Sequence, residues 1–184
     1  KKPKEGLFQF EIGVQSTNSY TIDAIGRITD LDRLKKVSTK IKSYKNIHQH
    51  LDLIAGLPYE DYKSFRNSFN DVYSIKPDKL QLGFLKLLKG SGLRMDKNKY
   101  GYKYINNPPY EVLENRYLNY DDIIKLKGIE DLVEKYYNEG YFSNSIEFII
   151  MNFYEKPFDF YEDFSRYWDQ KGLNKASHSR NSLY

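Results

Sequence analysis

The chain of 184 residues contains no cysteine. That excludes disulfides, Cys-ligated zinc, a thiol nucleophile and any iron–sulfur cluster held by this chain alone. A long apolar run is missing too. The longest, Phe148 to Phe153, is six residues and contains Asn152, far short of the roughly 20 that span a bilayer. The N-terminal Lys-Lys-Pro-Lys lacks the apolar segment of a signal peptide, so a cytoplasmic, membrane-free protein is expected. Charge of one sign is scarce: 29 Lys and Arg oppose 25 Asp and Glu, leaving +4. The two signs are mixed along the chain, which gives no nucleic-acid footprint. No internal repeat is visible. The first residue is Lys and not Met, from which a fragment of a longer protein is expected.

Aromatic residues are plentiful, with 18 Tyr, 11 Phe and 1 Trp, and most of the Tyr lies after residue 99. That shift points to two parts. In the first, Phe8, Phe10, Ile12 and Val14 alternate with Gln9, Glu11, Gly13 and Gln15, the period-two signature of a strand with two unlike faces. A short helix over about 18–26 and a helix over 30–44 follow, the second with Asp30 as N-cap. Residues 51–57 read as a buried strand, 60–74 as a helix striped by Phe65, Phe69 and Val72, and 79–85 as a third strand. Strands separated by helix-sized crossovers predict a parallel sheet.

The second part reads as helical. Ile123, Leu126, Ile129, Leu132 and Val133 mark a helix over 120–138, and Gly140 stops it. Ser143 is a candidate cap for a helix over 144–155, and Phe160, Phe164 and Trp168 stripe another over 158–171. The expected organisation is an α/β unit over 1–95, a helical accessory unit over 96–172 and a polar, frayed tail over 173–184. Three parallel strands with one face polar leave an open sheet edge, through which the chain is expected to associate or which its helices cover.

Ligands of parallel α/β proteins sit at the C-terminal ends of the strands. Glu11, Gly13 and Gln15, then Asp52, Ile54 and Gly56, then Gln81, Gly83 and Leu85 share one face by alternation. Such a face is more polar than structural filling requires. The carboxylates Glu11 and Asp52 could also serve as a glycosidase acid–base pair, and all of these residues could simply hydrogen-bond nearby backbone. His48 and His50 supply at most two metal ligands and read as ordinary surface histidines. Gly90-Ser91-Gly92 lacks the Lys and spacing of a phosphate loop and reads as a turn. Lys35, Lys36, Lys40 and Lys42 read as a solvated helix face, and the Tyr and Phe stripe after residue 117 as bundle core.

Three motifs carry a resemblance: Phe10 to Ser16 (FEIGVQS), Asp52 to Glu60 (DLIAGLPYE) and Leu82 to Ser91 (LGFLKLLKGS). Together they resemble the later half of the radical S-adenosylmethionine (SAM) barrel. The likeness is to its cobalamin-binding, Mg-protoporphyrin IX monomethyl ester oxidative cyclase-like branch. Pro108 to Leu113 and the Tyr-rich helices resemble the C-terminal domain attached to that branch. The resemblance implies a partial TIM-like barrel followed by an all-helical domain. It implies that Glu11 and Gln15 approach the methionine and ribose ends of SAM and that Asp52 binds the ribose hydroxyls. Ile54, Ala55, Phe84 and Leu85 would line the adenine. Ser91 stands where the family commonly has Thr. The cluster motif Cys-x3-Cys-x2-Cys is absent. SAM, a 4Fe–4S cluster and cobalamin are therefore expected only in a full-length parent whose missing N-terminal part is the partner of this one. The fragment alone is expected to bind no cofactor and to be inactive. A non-catalytic interaction module of α/β plus helical type is the alternative.

Overall fold

The computed structural model describes residues 4, 6–175 and 178–183. Strands β1 (Phe8–Gln15), β2 (Ile47–Ala55) and β3 (Lys79–Phe84) form one sheet in the order β1-β2-β3, parallel throughout. Helices α1 (Ser19–Ala24) and α2 (Leu31–Ser43) connect the first pair of strands, and α3 (Tyr62–Tyr73) connects the second. The expected parallel strands with interleaved helices, followed by a helical region, are what the chain forms. Asp30 and Asp61 cap α2 and α3 by accepting from the N–H groups of Arg33 and Ser64.

Strand β2 starts four residues earlier than its sequence pattern indicated. The reason is Gln49, a polar residue on the apolar face. It is buried because its amide is satisfied by Ser38 of α2: Ser38 Oγ donates to Oε1 at 2.5 Å and Nε2 donates to the Ser38 carbonyl at 3.0 Å.

After β3 the chain makes two short helices, α4 (Gly92–Met95) and α5 (Lys97–Tyr100). A two-stranded antiparallel ribbon of β4 (Lys103–Tyr104) and β5 (Val112–Glu114) follows, in a stretch that reads as turns from sequence. The ribbon is anchored to the sheet because Leu85 N–H donates to the Ala55 carbonyl and Val112 N–H to the Leu85 carbonyl, each at 2.9 Å. Helices α6 (Tyr120–Val133), α7 (Ser143–Phe153) and α8 (Pro157–Gln170) complete the fold, with one π-helical turn (Glu134–Asn138) after α6. Asn119 and Asp122 form a reciprocal capping box at the start of α6.

One hydrophobic core crosses the boundary expected near residue 95. Val14, Leu51, Leu53, Leu80 and Leu82 of the sheet belong to the same cluster as Phe69 of α3, Ile123 and Ile129 of α6, and Phe158 and Trp168 of α8. Helices α6 and α8 approach so closely that a Cβ on Gly128 would collide with Ser165 Oγ. Near the C-terminus the Tyr136 hydroxyl donates to the Leu183 carbonyl at 3.2 Å, and the His178 ring meets Trp168 edge-on at 5.2 Å. In the described part of the tail expected over 173–184, Leu173 and Leu183 are partly buried against the core. Residues 176, 177 and 184 of that tail lie outside the described residues.

Phe158 is fully buried, and its ring lies 5.4 Å from Phe69 and 5.7 Å from Tyr62. Replacing it by Ala should cost about 3–5 kcal/mol. The loss should be shared by sheet and helices in a single urea transition, with β2 amides losing hydrogen-exchange protection. Unchanged protection in β2 would show that the two parts do not share a core.

Candidate functional site

The apolar face of the sheet is committed to the core, so the opposite face is left for chemistry. The register aligns Glu11 with His50 and Lys79, Gly13 with Asp52 and Gln81, and Ile54 with Gly83. These residues alternate with the core residues, so their side chains share the second face. The bend at the end of β1 aims Gln15 along it. Gln15 is left-handed (φ 70°), and the β1–β2 register slips between Gly13 and Gln15. The Gln15 amide consequently folds over Gly13, where any Cβ would collide with Gln15 Nε2 and would lie 3.6 Å from Arg27 Nη1. Glycine at 13 thus makes the space that the Gln15 amide occupies beside Asp52.

Two acceptor oxygens on this face, Gln15 Oε1 and Asp52 Oδ1, are enclosed and have no hydrogen-bond partner among the described residues. Burial raises the Asp52 pKa, the negative charge of Glu11 raises it further, and His50 opposes both. Gln9 Nε2 donates to Glu11 Oε1 at 3.2 Å and lies 3.3 Å from His50 Nδ1. The face therefore offers two desolvated acceptors flanked by an exposed carboxylate and an imidazole. That combination suits a ligand with hydroxyl or amine donors.

Of the residues expected at the site, Glu11, Gln15, Asp52 and Ile54 are brought together on this face. Leu85 lies beside them: Ile54 packs on the cluster of Leu57, Leu85, Leu87, Tyr100, Tyr102 and Val112. The other two are placed elsewhere. The Ala55 side chain is buried in the main core, and its carbonyl accepts from Leu85 N–H. Phe84 packs on the helical side, where Lys127 Nζ sits 5.4 Å from its ring centroid. Both positions follow from alternation, since 55 and 84 share parity with the core positions of their strands. His50 and Arg27 were missed. His50 was legible as a neighbour of Asp52 two residues away on one face, whereas Arg27 lies in a loop without any pattern.

A buried polar network fixes the loops around this face. Glu60, on the loop after β2, is fully buried. Its Oε1 accepts from Ser16 Oγ at 2.5 Å and from Ser68 Oγ at 2.9 Å, while Oε2 has no partner among the described residues. Asn18 adds a second tie, its amide donating to the Tyr59 carbonyl at 2.8 Å. The first loop thereby holds to the second and to α3 immediately beyond Gln15. Burial lifts the Glu60 pKa to about 7, against the opposing effect of the two serine hydroxyls.

Two clefts lie away from this face. One of about 860 Å³ runs between α6 and α8 and is lined by Ile124, Ile129, Trp168 and Leu173, among others. Another of about 450 Å³ is lined by Tyr73, Pro77, Tyr137 and Ile150, among others. Among the described residues no group of three or more His, Cys, Asp or Glu side chains could hold a metal ion, and no helix is long and apolar enough to cross a membrane.

A family model described as a protein of unknown function, DUF4080, matches residues 98–184, the ribbon and helices. Over 103 residues, 53% of this chain and 19% of the relative, the sequence is 31% identical to the oxygen-independent coproporphyrinogen-III oxidase-like protein HemZ of Bacillus subtilis. Over 79 residues, 43% of this chain and 18% of the relative, it is 27% identical to coproporphyrinogen III oxidase, anaerobic 1, of Cereibacter sphaeroides. The chain spans about a fifth of the length of these relatives. Among solved structures, the coproporphyrinogen III oxidase HemN from Escherichia coli, described as a radical SAM enzyme, overlaps 67% of this chain and 33% of its own. That overlap has 18% identity and a TM-score of 0.41, too loose to bear on the fold. Sequence similarity links the chain, over about half its length, to proteins bearing the coproporphyrinogen oxidase name.

The electrostatics of the face can be read by NMR titration of the Asp52 carboxyl. Its midpoint should lie above the ordinary value of 3.8, fall in Glu11→Gln and rise in His50→Ala. A midpoint insensitive to both changes would contradict the cluster. Glu60 predicts the pH dependence of stability. Its folded pKa of about 7 exceeds the ordinary 4.5, so the folded state holds its proton more tightly than the unfolded one. Stability should then fall by on the order of 3 kcal/mol as pH rises through that window and level off above it. Glu60→Gln, compared by urea midpoints across the window, should flatten the fall, and an unaltered slope would contradict this.

Proposed function

We propose that this chain is part of a radical SAM enzyme and that the polar face of β1–β3 receives the nucleoside of SAM. The observation that carries the reading is the pair of enclosed acceptors, Gln15 Oε1 and Asp52 Oδ1, left without donors on one face of a parallel sheet. The three sequence motifs and the regional similarity to oxygen-independent coproporphyrinogen oxidases support it.

The residues suit the nucleoside. The Asp52 carboxylate accepts from the two vicinal ribose hydroxyls, which supply the donors that Oδ1 lacks. Gln15 Oε1 accepts from a further donor, such as an amine, and its amide is held in place by Gly13. Ile54 and Leu85 offer an apolar floor for the base. Glu11 stands at the exposed end of the row and faces the positively charged methionine portion. Ala55 and Phe84 support the strands from behind and do not touch the ligand. When bound, SAM supplies a carbon–sulfur bond that one-electron reduction can break. The residues do not suit the cluster that would deliver the electron, because thiolate ligands are absent from the sequence. A 4Fe–4S cluster would have to be held by another part of the parent protein. The outer edge of β1, paired with β2 alone among the described residues, is where a preceding strand of that part would add.

A narrower reading places the parent among cobalamin-associated enzymes of the Mg-protoporphyrin IX monomethyl ester oxidative cyclase type, and the three motifs support it. The matched relatives' names point instead to coproporphyrinogen III as substrate. Both are tetrapyrrole chemistry.

The reading frame upstream of Lys1 should encode Cys-x3-Cys-x2-Cys, and a start codon directly before Lys1 would defeat the proposal. In the full-length protein, Asp52→Asn and Gln15→Ala should each weaken SAM binding about tenfold or more by calorimetry, the loss of one or two desolvated hydrogen bonds. Lys40→Ala, on α2, should leave it unchanged. Undiminished affinity in both site variants would overturn the assignment.

A further inference from the structure

Residues 86–99 carry five cations, Lys86, Lys89, Arg94, Lys97 and Lys99, against one acid, Asp96. That stretch alone has the net charge of the whole chain, +4. Some cations elsewhere are paired, Arg66 with Asp159, Lys127 with Glu111, Lys135 with Asp131 and Arg166 with Asp163, whereas Arg33, Lys35, Lys36 and Lys40 of α2 form no ion pair among the described residues. None of the five forms an ion pair among the described residues.

Three of them are drawn together around two tyrosines. The Arg94 guanidinium lies 5.1 Å from the ring centroids of both Tyr104 and Tyr110. Lys89 Nζ lies 5.9 Å from the Tyr110 ring, and Lys97 Nζ lies 5.9 Å from the Tyr104 ring. The Arg94 side chain is held there by donation from Nη1 to the Leu87 carbonyl at 2.7 Å. Like charges this close repel, and the ring faces compensate only in part. The result is a fixed positive field at the surface, of the kind that attracts an anionic partner.

The surroundings say which kind. Leu88, Met95 and Ile105, the sequence neighbours of Lys89, Arg94 and Tyr104, are 54%, 77% and 39% exposed. Exposed aliphatic side chains among cations match the mixture of protein interfaces, where apolar contact and charge complementarity occur together. A phosphate backbone has no use for them, and the tyrosine faces that could stack on bases are already engaged by cations. We propose that this collar, formed by α4, α5 and the β4–β5 ribbon, is a docking surface for an acidic, aliphatic-bearing protein segment. The proposal does not depend on the nucleoside reading, since it shares no residue with that face.

The test uses the full chain and fluorescence anisotropy with two labelled probes, a Glu-Glu-Leu repeat peptide and an oligothymidylate of the same length. The peptide should bind more tightly than the oligonucleotide. Its affinity should fall about tenfold or more between ~50 mM and ~300 mM NaCl. Lys89→Gln combined with Lys97→Gln should weaken it by a similar factor, and Arg94 stays in place through its bond to the Leu87 carbonyl. Lys36→Gln combined with Lys40→Gln on α2 is the matched control and should change nothing. Equal losses in both double variants, tighter binding of the oligonucleotide, or no peptide binding at low salt would each overturn the proposal.

Discussion

The structure depends on the burial of one side of a three-stranded sheet. Val14, Leu51, Leu53, Leu80 and Leu82 face α3, α6 and α8 in one continuous core. Because strand side chains alternate, committing that side to the core assigns Glu11, Gly13, Asp52, Ile54, Gln81 and Gly83 to the other. The polar face is thus a geometric consequence of the core. It holds two enclosed oxygens without donors among the described residues, which costs stability unless something supplies the missing donors.

A second constraint sits at the strand ends. The left-handed Gln15 and Tyr59 (φ 70° and 61°) are non-glycine residues in a conformation that is ordinarily avoided. Both are flanked by the buried network of Ser16, Glu60 and Ser68. A fully buried carboxyl close to half-ionised at neutral pH is an expensive way to fasten two loops. Its effect is to fix the direction in which Gln15 leaves β1. The loops are tied together beside the face by the buried side chains of Ser16, Glu60 and Ser68.

Much of this was legible in the residues. The alternation over 8–15 and the cap at Asp30 located strand and helix because both signals are local and strong. That Glu11, Asp52 and Ile54 share one face followed from parity, while Gln15 reaches that face through the bend at the end of β1. Other features were not legible for physical reasons. Phe8 and Phe10 look like core by pattern but are half exposed, because among the described residues β1 is the edge of the sheet and no element covers that end. Gln49 hid the start of β2 because its partner, Ser38, is eleven residues away on another element. Ser143 resembles a cap but lies inside α7, its hydroxyl donating to the Gly140 carbonyl at 3.1 Å. The β4–β5 ribbon is too short to show any period. Glu60 is an acid at the start of a helix by sequence; only the fold reveals that it points inward.

The helical part and the ribbon surround the sheet without enclosing its polar face, and the ribbon packs against Ile54 at the end where that face opens. The polar face therefore has one wall built by this chain and, among the described residues, an open side at β1. The most direct test is side-chain NMR of the protein that carries this chain, with SAM added and the Gln15 amide and Asp52 carboxyl resolved. The account predicts that these two signals shift together and saturate with the same midpoint. Perturbations confined to residues 120–170, with Gln15 and Asp52 unmoved, would contradict it.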